Sequence, residues 1–221
     1  MAILAGILIS YVLGAIPIGL IIARLAGIKD IRQHGSGNIG ATNVWRTAGF
    51  KVAIWVFVLD IGKGVAAVLI ARYIAGQYLV TPLQPEHFMV ICGVAAILGN
   101  VFPVFLGFRG GKGVNTSLGV VATLLPLQAA IAFAVFLIVV LSSRFISLGS
   151  ILAAVTLATV VIVQRMMFDI PIANVYVGLA LLLAVLVVFT HRQNIVRLVS
   201  GTENRFSTKG RSGSHQEGSH V

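Results

Sequence analysis

Three clusters of polar and cationic residues interrupt a strongly apolar chain, and each combines residue types that hold anions. The stretch Gly107-Phe108-Arg109-Gly110-Gly111-Lys112-Gly113-Val114-Asn115-Thr116 sets four glycines, two cations and a hydroxyl between apolar segments. Glycine lets a backbone take φ > 0 and turn its N–H groups toward one point, which makes an anion cradle. Lys112 and Arg109 add positive charge, and Thr116 falls in the first turn of the helix expected to follow. A second cluster, His34 to Arg46, gathers the donors Ser36, Asn38, Thr42, Asn43 and Arg46 around Gly35, Gly37 and Gly40. In the third, His191, Asn194 and Arg197 share one helical face, followed by Gly201-Thr202-Glu203-Asn204-Arg205. The chemistry these residues suit is the binding of phosphate or carboxylate groups.

Two familiar nucleotide signatures fail on context. Gly35-Ser36-Gly37-Asn38-Ile39-Gly40 fits G-x-G-x-x-G, but an apolar membrane-length run precedes it, not a strand opening a βαβ unit. Lys112 is followed by Gly113, not by Ser or Thr, so the glycine-rich loop is no P-loop. The single cysteine, Cys92, lies mid-segment in an apolar run and reads as a small core hydrophobe.

The elements that must position these clusters are membrane helices. Of 221 residues, 58% are hydrophobic and 10% charged, with a mean hydropathy of +1.01, against about 25% charged in a soluble domain. A net charge of +10 on such a chain does not indicate nucleic-acid binding, because no soluble basic domain is present to do it. The N-terminus lacks a charged n-region, and its apolar run continues to Ala26, so no cleavable signal is expected. Apolar runs cover Ala2–Ala26, Val52–Ala71, Phe88–Leu106, Val114–Leu141 with Pro126 near its middle, Ile146–Met167 and Ile172–Phe189. Ala2, Gly6, Ser10 and Gly14 form a small-residue stripe suited to close helix packing. With Val114–Leu141 broken at Pro126 and the N-terminus outside, thirteen of the 16 Lys and Arg residues, from Arg24 to Arg211, fall inside. Only Arg72 and Arg165 fall outside, and Lys63 lies within a span, a clear positive-inside bias. The expectation is an all-α membrane protein of seven transmembrane helices with the C-terminus cytoplasmic. All the glycine-rich loops then lie at the cytoplasmic face. Residues 1–205 form one polytopic domain and 206–221 a disordered polar tail. Asp60 and Lys63, at i, i+3 inside the second span, read as an ion pair tying that helix to the bundle. Ser147, at the start of a span beside Arg144, either caps that helix or donates to a ligand.

Taken together, the clusters resemble the acyl-phosphate:glycerol-3-phosphate acyltransferase family of bacterial membranes. Gly35–Arg46 is similar to its first motif, Gly99–Thr116 to its second and His191–Arg205 to its third, with Asp60-Ile61-Gly62-Lys63-Gly64 and Ser147-Leu148-Gly149-Ser150 also alike. The resemblance covers most of residues 1–206. Three positions depart: Ile39 stands where proline is frequent, Asn100 where histidine is common and Asn115 where alanine is usual.

The resemblance implies a seven-span inner-membrane enzyme, its active site toward the cytoplasm. It would transfer a fatty acyl group from acyl phosphate to the 1-hydroxyl of glycerol 3-phosphate, giving lysophosphatidic acid and phosphate as the first step of phospholipid synthesis. The soluble enzyme that supplies acyl phosphate is the expected functional neighbour. Acyl phosphate is already activated, so neither a cofactor, a metal nor a nucleophilic side chain is required; holding two anions side by side suffices. Ser36, Gly37, Asn38, Thr42, Asn43, Gly110, Gly111, Gly113 and Thr116 are assigned to acyl phosphate, and Arg46, Ser147, His191 and Asn194 to glycerol 3-phosphate. Lys112 lies between the two phosphates. Lys112, Ser36 and His191 form the catalytic group, and Glu203 fixes the C-terminal helix end, pairing with an arginine. Either His191 or the acyl-phosphate oxygens take the hydroxyl proton. The runner-up is a small transporter for an organic phosphate, disfavoured because no internal repeat is evident and the clusters sit at one face.

Overall fold

The computed structural model describes residues 1–78, 83–168 and 170–206, and helices dominate them with no strand among the described residues. In hydrocarbon every backbone polar group must find a partner within its own segment, and helices meet that demand. The order is α1 (Ala2–Ala15), α2 (Ile18–Leu25), α3 (Ala41–Ala48), α4 (Phe50–Tyr78), α5 (Pro85–Val101), α6 (Val114–Leu124), α7 (Pro126–Ser143), α8 (Ile146–Met167), α9 (Asn174–Thr190) and α10 (Arg192–Val199).

The first apolar run is two helices, not one, because Pro17 has no N–H and interrupts the ladder after Ala15. Leu125 and Pro126 break the run from Val114 to Leu141, as its proline predicts, with Pro126 opening α7. Five helical stretches, counting Ala2–Leu25 as one, are long and apolar enough to cross a membrane, and Asn174–Thr190 with the bent-over α10 makes a sixth. α6, at 11 residues, is shorter. It reaches roughly 16 Å along its axis, about half a hydrocarbon core.

Small residues set the tightest contacts. A Cβ at Gly14 would meet the Ala96 carbonyl oxygen at 2.0 Å, and one at Gly99 the Tyr11 oxygen at 2.2 Å, so α1 and α5 touch backbone to backbone. Gly64 and Gly119 do the same for α4 and α6, toward Thr116 and Ile61. Gly6, Ser10 and Gly14 of the small-residue stripe are buried in this way. An apolar core of Val68, Ile97, Val120, Leu157, Val161, Leu179 and Leu183 holds the bundle, while Leu8, Trp55, Ile138 and Val185 face outward. Cys92 is buried beside Phe88 and Ala71, as its place in the sequence suggests. Asp60 and Lys63 pair at 2.8 Å inside the bundle, as their spacing predicts.

The polar stretch after the first span is partly ordered by α3. At the other end Phe206, read as the first residue of a disordered tail, is packed: its N–H donates to the Arg144 carbonyl at 2.6 Å and its ring meets Trp45 edge-on at 4.4 Å. Two aromatic faces exclude water there, which outweighs the polar composition that follows. Residues 207–221 lie outside the described residues.

Candidate active site

The three polar clusters converge on one cleft of about 1010 Å³, walled by α3, the glycine-rich loop before α6, the start of α8 and the α9–α10 junction. It brings together Ser36, Gly37, Asn38, Thr42, Asn43, Arg46, Gly110, Gly111, Lys112, Gly113, Ser147, His191 and Asn194. Thr116 alone among the sequence-predicted site residues is left out. The first turn of α6 presses on Gly64 of α4, and the Thr116 hydroxyl is buried there without a hydrogen-bond partner. Asn115, singled out in the sequence only as a departure from the family pattern, lines the cleft in its place.

The first loop is built on Asn43. Its Oδ1 accepts from the Ser36 N–H at 2.8 Å, and its Nδ2 lies 3.2, 3.0 and 2.8 Å from the carbonyls of Ile31, His34 and Asn38. A side chain so engaged orders the loop and has no polar atom left for a ligand. Asn38 Oδ1 likewise accepts the Gly40 N–H at 2.8 Å, starting α3. Gly35 and Gly37 take φ of 60° and 72°, the left-handed region that only glycine enters freely. Ser36, Thr42 and Arg46 remain to face the cleft; an Arg46 Nη2 donates to the Asn204 carbonyl at 3.3 Å.

The glycine-rich loop is seated on the end of α5. Gly110 N–H donates to Val101 O at 3.1 Å and Gly111 N–H to Asn100 O at 3.0 Å. Those two amides therefore do not point at a ligand, contrary to a cradle made of all four residues, because the terminal carbonyls of α5 claim them first. A Cβ at Gly110 would lie 2.2 Å from Asn100 O, so the seat accepts only glycine. Asn100 gives this seat its backbone carbonyl and also lines the cleft. Gly113 (φ 77°) starts α6, whose first free N–H groups and positive dipole end meet the cleft beside Lys112.

The third wall is made where α10 turns 61° from α9 just after Thr190. Glu203 returns under it on a Gly201 turn (φ 71°). Its Oε1 accepts from Ser147 Oγ at 2.9 Å and Asn194 Nδ2 at 2.7 Å, and its Oε2 from Arg197 Nε at 2.7 Å. Ser147 thus neither caps α8 nor points first to a ligand; it satisfies a buried carboxylate. Asn194 Oδ1 accepts from Lys112 Nζ. The expectation that Glu203 secures the C-terminal end by pairing with an arginine is met. Burial tends to raise the Glu203 carboxyl, but the bonds from Arg197, Asn194 and Ser147 outweigh it and hold the group below the usual carboxylate range.

Burial brings the Lys112 ammonium down to about 8, against the Glu203 charge that raises it, with Arg197 and Arg46 lowering it further. His191 is buried, and its Nδ1 lies 2.9 Å from Val187 O, an acceptor, which places the hydrogen on Nδ1 and a lone pair on Nε2. Burial, then the Lys112 charge, bring this imidazole down to about 4. It is neutral at physiological pH. Residues the sequence reading did not single out complete the cleft: Phe57, Phe133 and Phe136 carry its wall into an apolar pocket of about 90 Å³ between α6, α7, α8 and α9. Nothing in their sequence context separates them from ordinary lipid-facing aromatics.

A helical membrane bundle with one cleft, cationic and donor-rich at its mouth and apolar at its depth, defines a membrane protein that handles an anionic amphiphile. A family model described as glycerol-3-phosphate acyltransferase matches residues 4–201, and the chain belongs to that family. Proteins called glycerol-3-phosphate acyltransferase from Halalkalibacterium halodurans and Geobacter sulfurreducens are 43% and 45% identical to it, each over 90% of this chain and 93% and 94% of their own. The fold is that of the crystal structure of PlsY (YgiH), an integral membrane glycerol 3-phosphate acyltransferase in its glycerol 3-phosphate form. That structure has a TM-score of 0.82 and 38% identity, over 94% of this chain and 97% of that one. A lysophosphatidic acid form of PlsY matches with a TM-score of 0.80.

Proposed function

We propose that this protein transfers a fatty acyl group from acyl phosphate to the 1-hydroxyl of glycerol 3-phosphate, releasing lysophosphatidic acid and inorganic phosphate. The observation that carries this reading is the position of Lys112. Its Nζ donates to Asn194 Oδ1 on one side of the cleft and it feels the charge of Arg46 on the other, which supports a place for it between two bound anions. The first side and the N-terminus of α6 take the acyl-phosphate head, with its chain running toward Phe57, Phe133 and Phe136. Arg46, His191 and Asn194 take glycerol 3-phosphate.

In the reaction the glycerol hydroxyl oxygen attacks the acyl carbon, the bond from that carbon to the bridging phosphate oxygen breaks, and phosphate leaves with the electron pair. Lys112 and the α6 amides stabilise the charge gathering on the departing phosphate. The proton goes to a phosphate oxygen. An imidazole that holds a proton only below about 4 is a weaker acceptor than a phosphate, whose second ionisation lies near 6. His191 instead offers its Nε2 lone pair to orient the hydroxyl.

The same reading takes α6 with its flanking loops as one of seven crossings, the N-terminus outside, and the cleft facing the cytoplasm of a bacterial inner membrane. There a soluble acyl-phosphate-producing enzyme would deliver substrate. The charge distribution supports it. The test is phosphate release by purified protein given acyl phosphate: it should require glycerol 3-phosphate and match lysophosphatidic acid formed mole for mole. Release without the acceptor would overturn the reading.

A further inference from the structure

The buried Asp60–Lys63 pair belongs to none of the three clusters, yet Lys63 reaches past its partner. Its Nζ donates to Gly14 O and Ile16 O, each at 3.0 Å, while lying 2.8 Å from Asp60 Oδ1. Those carbonyls are the ones that the α1–α2 break exposes. In an unbroken helix Gly14 O would receive the Ile18 N–H, but that N–H turns to Ile16 O at 2.9 Å. A carbonyl freed inside a membrane bundle needs a donor, whether from a neighbouring helix, a side chain or an ordered water. Lys63 of α4 is that donor.

The break matters because of what α2 carries. A Cβ at Gly19 would fall 1.7 Å from Ile39 O, so α2 bears directly on the backbone of the Gly35–Gly40 loop. The junction from Gly14 to Gly19 lines the cleft, with Asp60 beside it. Without Lys63, Gly14 O would lose its donor, Ile16 O would keep only the Ile18 N–H, and the Asp60 carboxylate would lie unpaired beside a cleft that receives anions.

We propose that Lys63 is a positioning residue for acyl transfer: by capping the Ile16–Pro17 break it fixes α2 against Ile39 and so holds the Gly35–Gly40 loop in its substrate-binding form. This rests on the reading that the loop receives acyl phosphate.

The test compares steady-state kinetics of Lys63→Met, Asp60→Asn/Lys63→Met and Gly19→Ala with the unaltered protein, each purified in detergent and corrected for folded fraction by thermal melting. A displaced loop should raise KM for acyl phosphate about 10- to 100-fold in Lys63→Met, with KM for glycerol 3-phosphate within about twofold. The double variant removes the pair together and should stay impaired, since Gly14 O and Ile16 O still lack the Lys63 donor. Gly19→Ala, which leaves the ion pair intact, should raise the same KM. If Lys63→Met does not fold, the double variant, which leaves no unpaired buried charge, carries the same test. Unchanged KM values with kcat falling only in step with the folded fraction, or recovery in the double variant, would overturn the proposal. A rise in KM for glycerol 3-phosphate instead would support the positioning role and refute the assignment of the loop to acyl phosphate. Absence of glycerol 3-phosphate-dependent phosphate release by the unaltered protein would refute the proposed reaction itself.

Discussion

Lys112 and Glu203 are held a single amide apart: Asn194 accepts from the ammonium through Oδ1 and donates to the carboxylate through Nδ2 at 2.7 Å. The amide cannot flip without breaking both bonds, so the buried carboxylate decides where the Lys112 charge sits. Arg197 and Ser147 complete the shell around Glu203 and leave it little freedom.

Glu203→Gln keeps the shape and removes the charge. The Glu203 charge raises the Lys112 pKa, so its loss should move the alkaline limb of kcat/KM to lower pH. The unpaired Arg197 should also cost about 10-fold or more in kcat/KM for glycerol 3-phosphate. A pH profile of the variant checks this; an unmoved alkaline limb would break the link between the two residues.

Lys112→Ala removes a charge-assisted contact from a half-buried site, and turnover should fall on the order of 10²–10³-fold with the fold retained. Arg109 is exposed and outside the hydrogen-bonded shell, so Arg109→Ala should be far milder. Near-normal turnover in Lys112→Ala would contradict the central place of the glycine-rich loop.

The pH dependence follows from two lowered groups. Lys112 loses its proton as pH rises through about 8, so kcat/KM should decline on the alkaline side from there. His191 stays neutral down to about 4, so protonation of this ring cannot produce an acid limb near its ordinary value of 6.5. His191→Gln should chiefly raise KM for glycerol 3-phosphate and leave the acid side unchanged above about pH 5. A fall in kcat beyond about a hundredfold with KM near that of the unaltered protein would make His191 the base.

Orientation is open to a labelling experiment. In a Cys92→Ala background, cysteines at Ser36, Arg109 and Thr202 should be shielded from a membrane-impermeant thiol reagent added to intact cells, while one at Gln77 should react. Labelling of any of the first three would place that cluster on the other face.

The long apolar runs determined the helical class from sequence, because a chain in hydrocarbon has few ways to satisfy its backbone. Pro126 marked a helix break, the Asp60–Lys63 spacing marked an ion pair, and Ser36, Arg46, Lys112 and His191, each in a polar cluster, marked residues that line one cleft. Each of these signals is read within one short stretch of the chain. What each polar group faces was decided by contacts far apart in the chain. Asn43 turned inward on its own loop, and Thr116 was closed off where α6 meets Gly64. Gly110 and Gly111 gave their amides to the end of α5. Ser147 found its acceptor 56 positions away and Lys112 its amide 82 away. Burial and proximity of charge lowered His191 and Lys112, and both exist only once α9, α10 and the glycine-rich loop are packed together. Residue type states which bonds a side chain is able to make, and only the folded arrangement determines which partners come within reach of it.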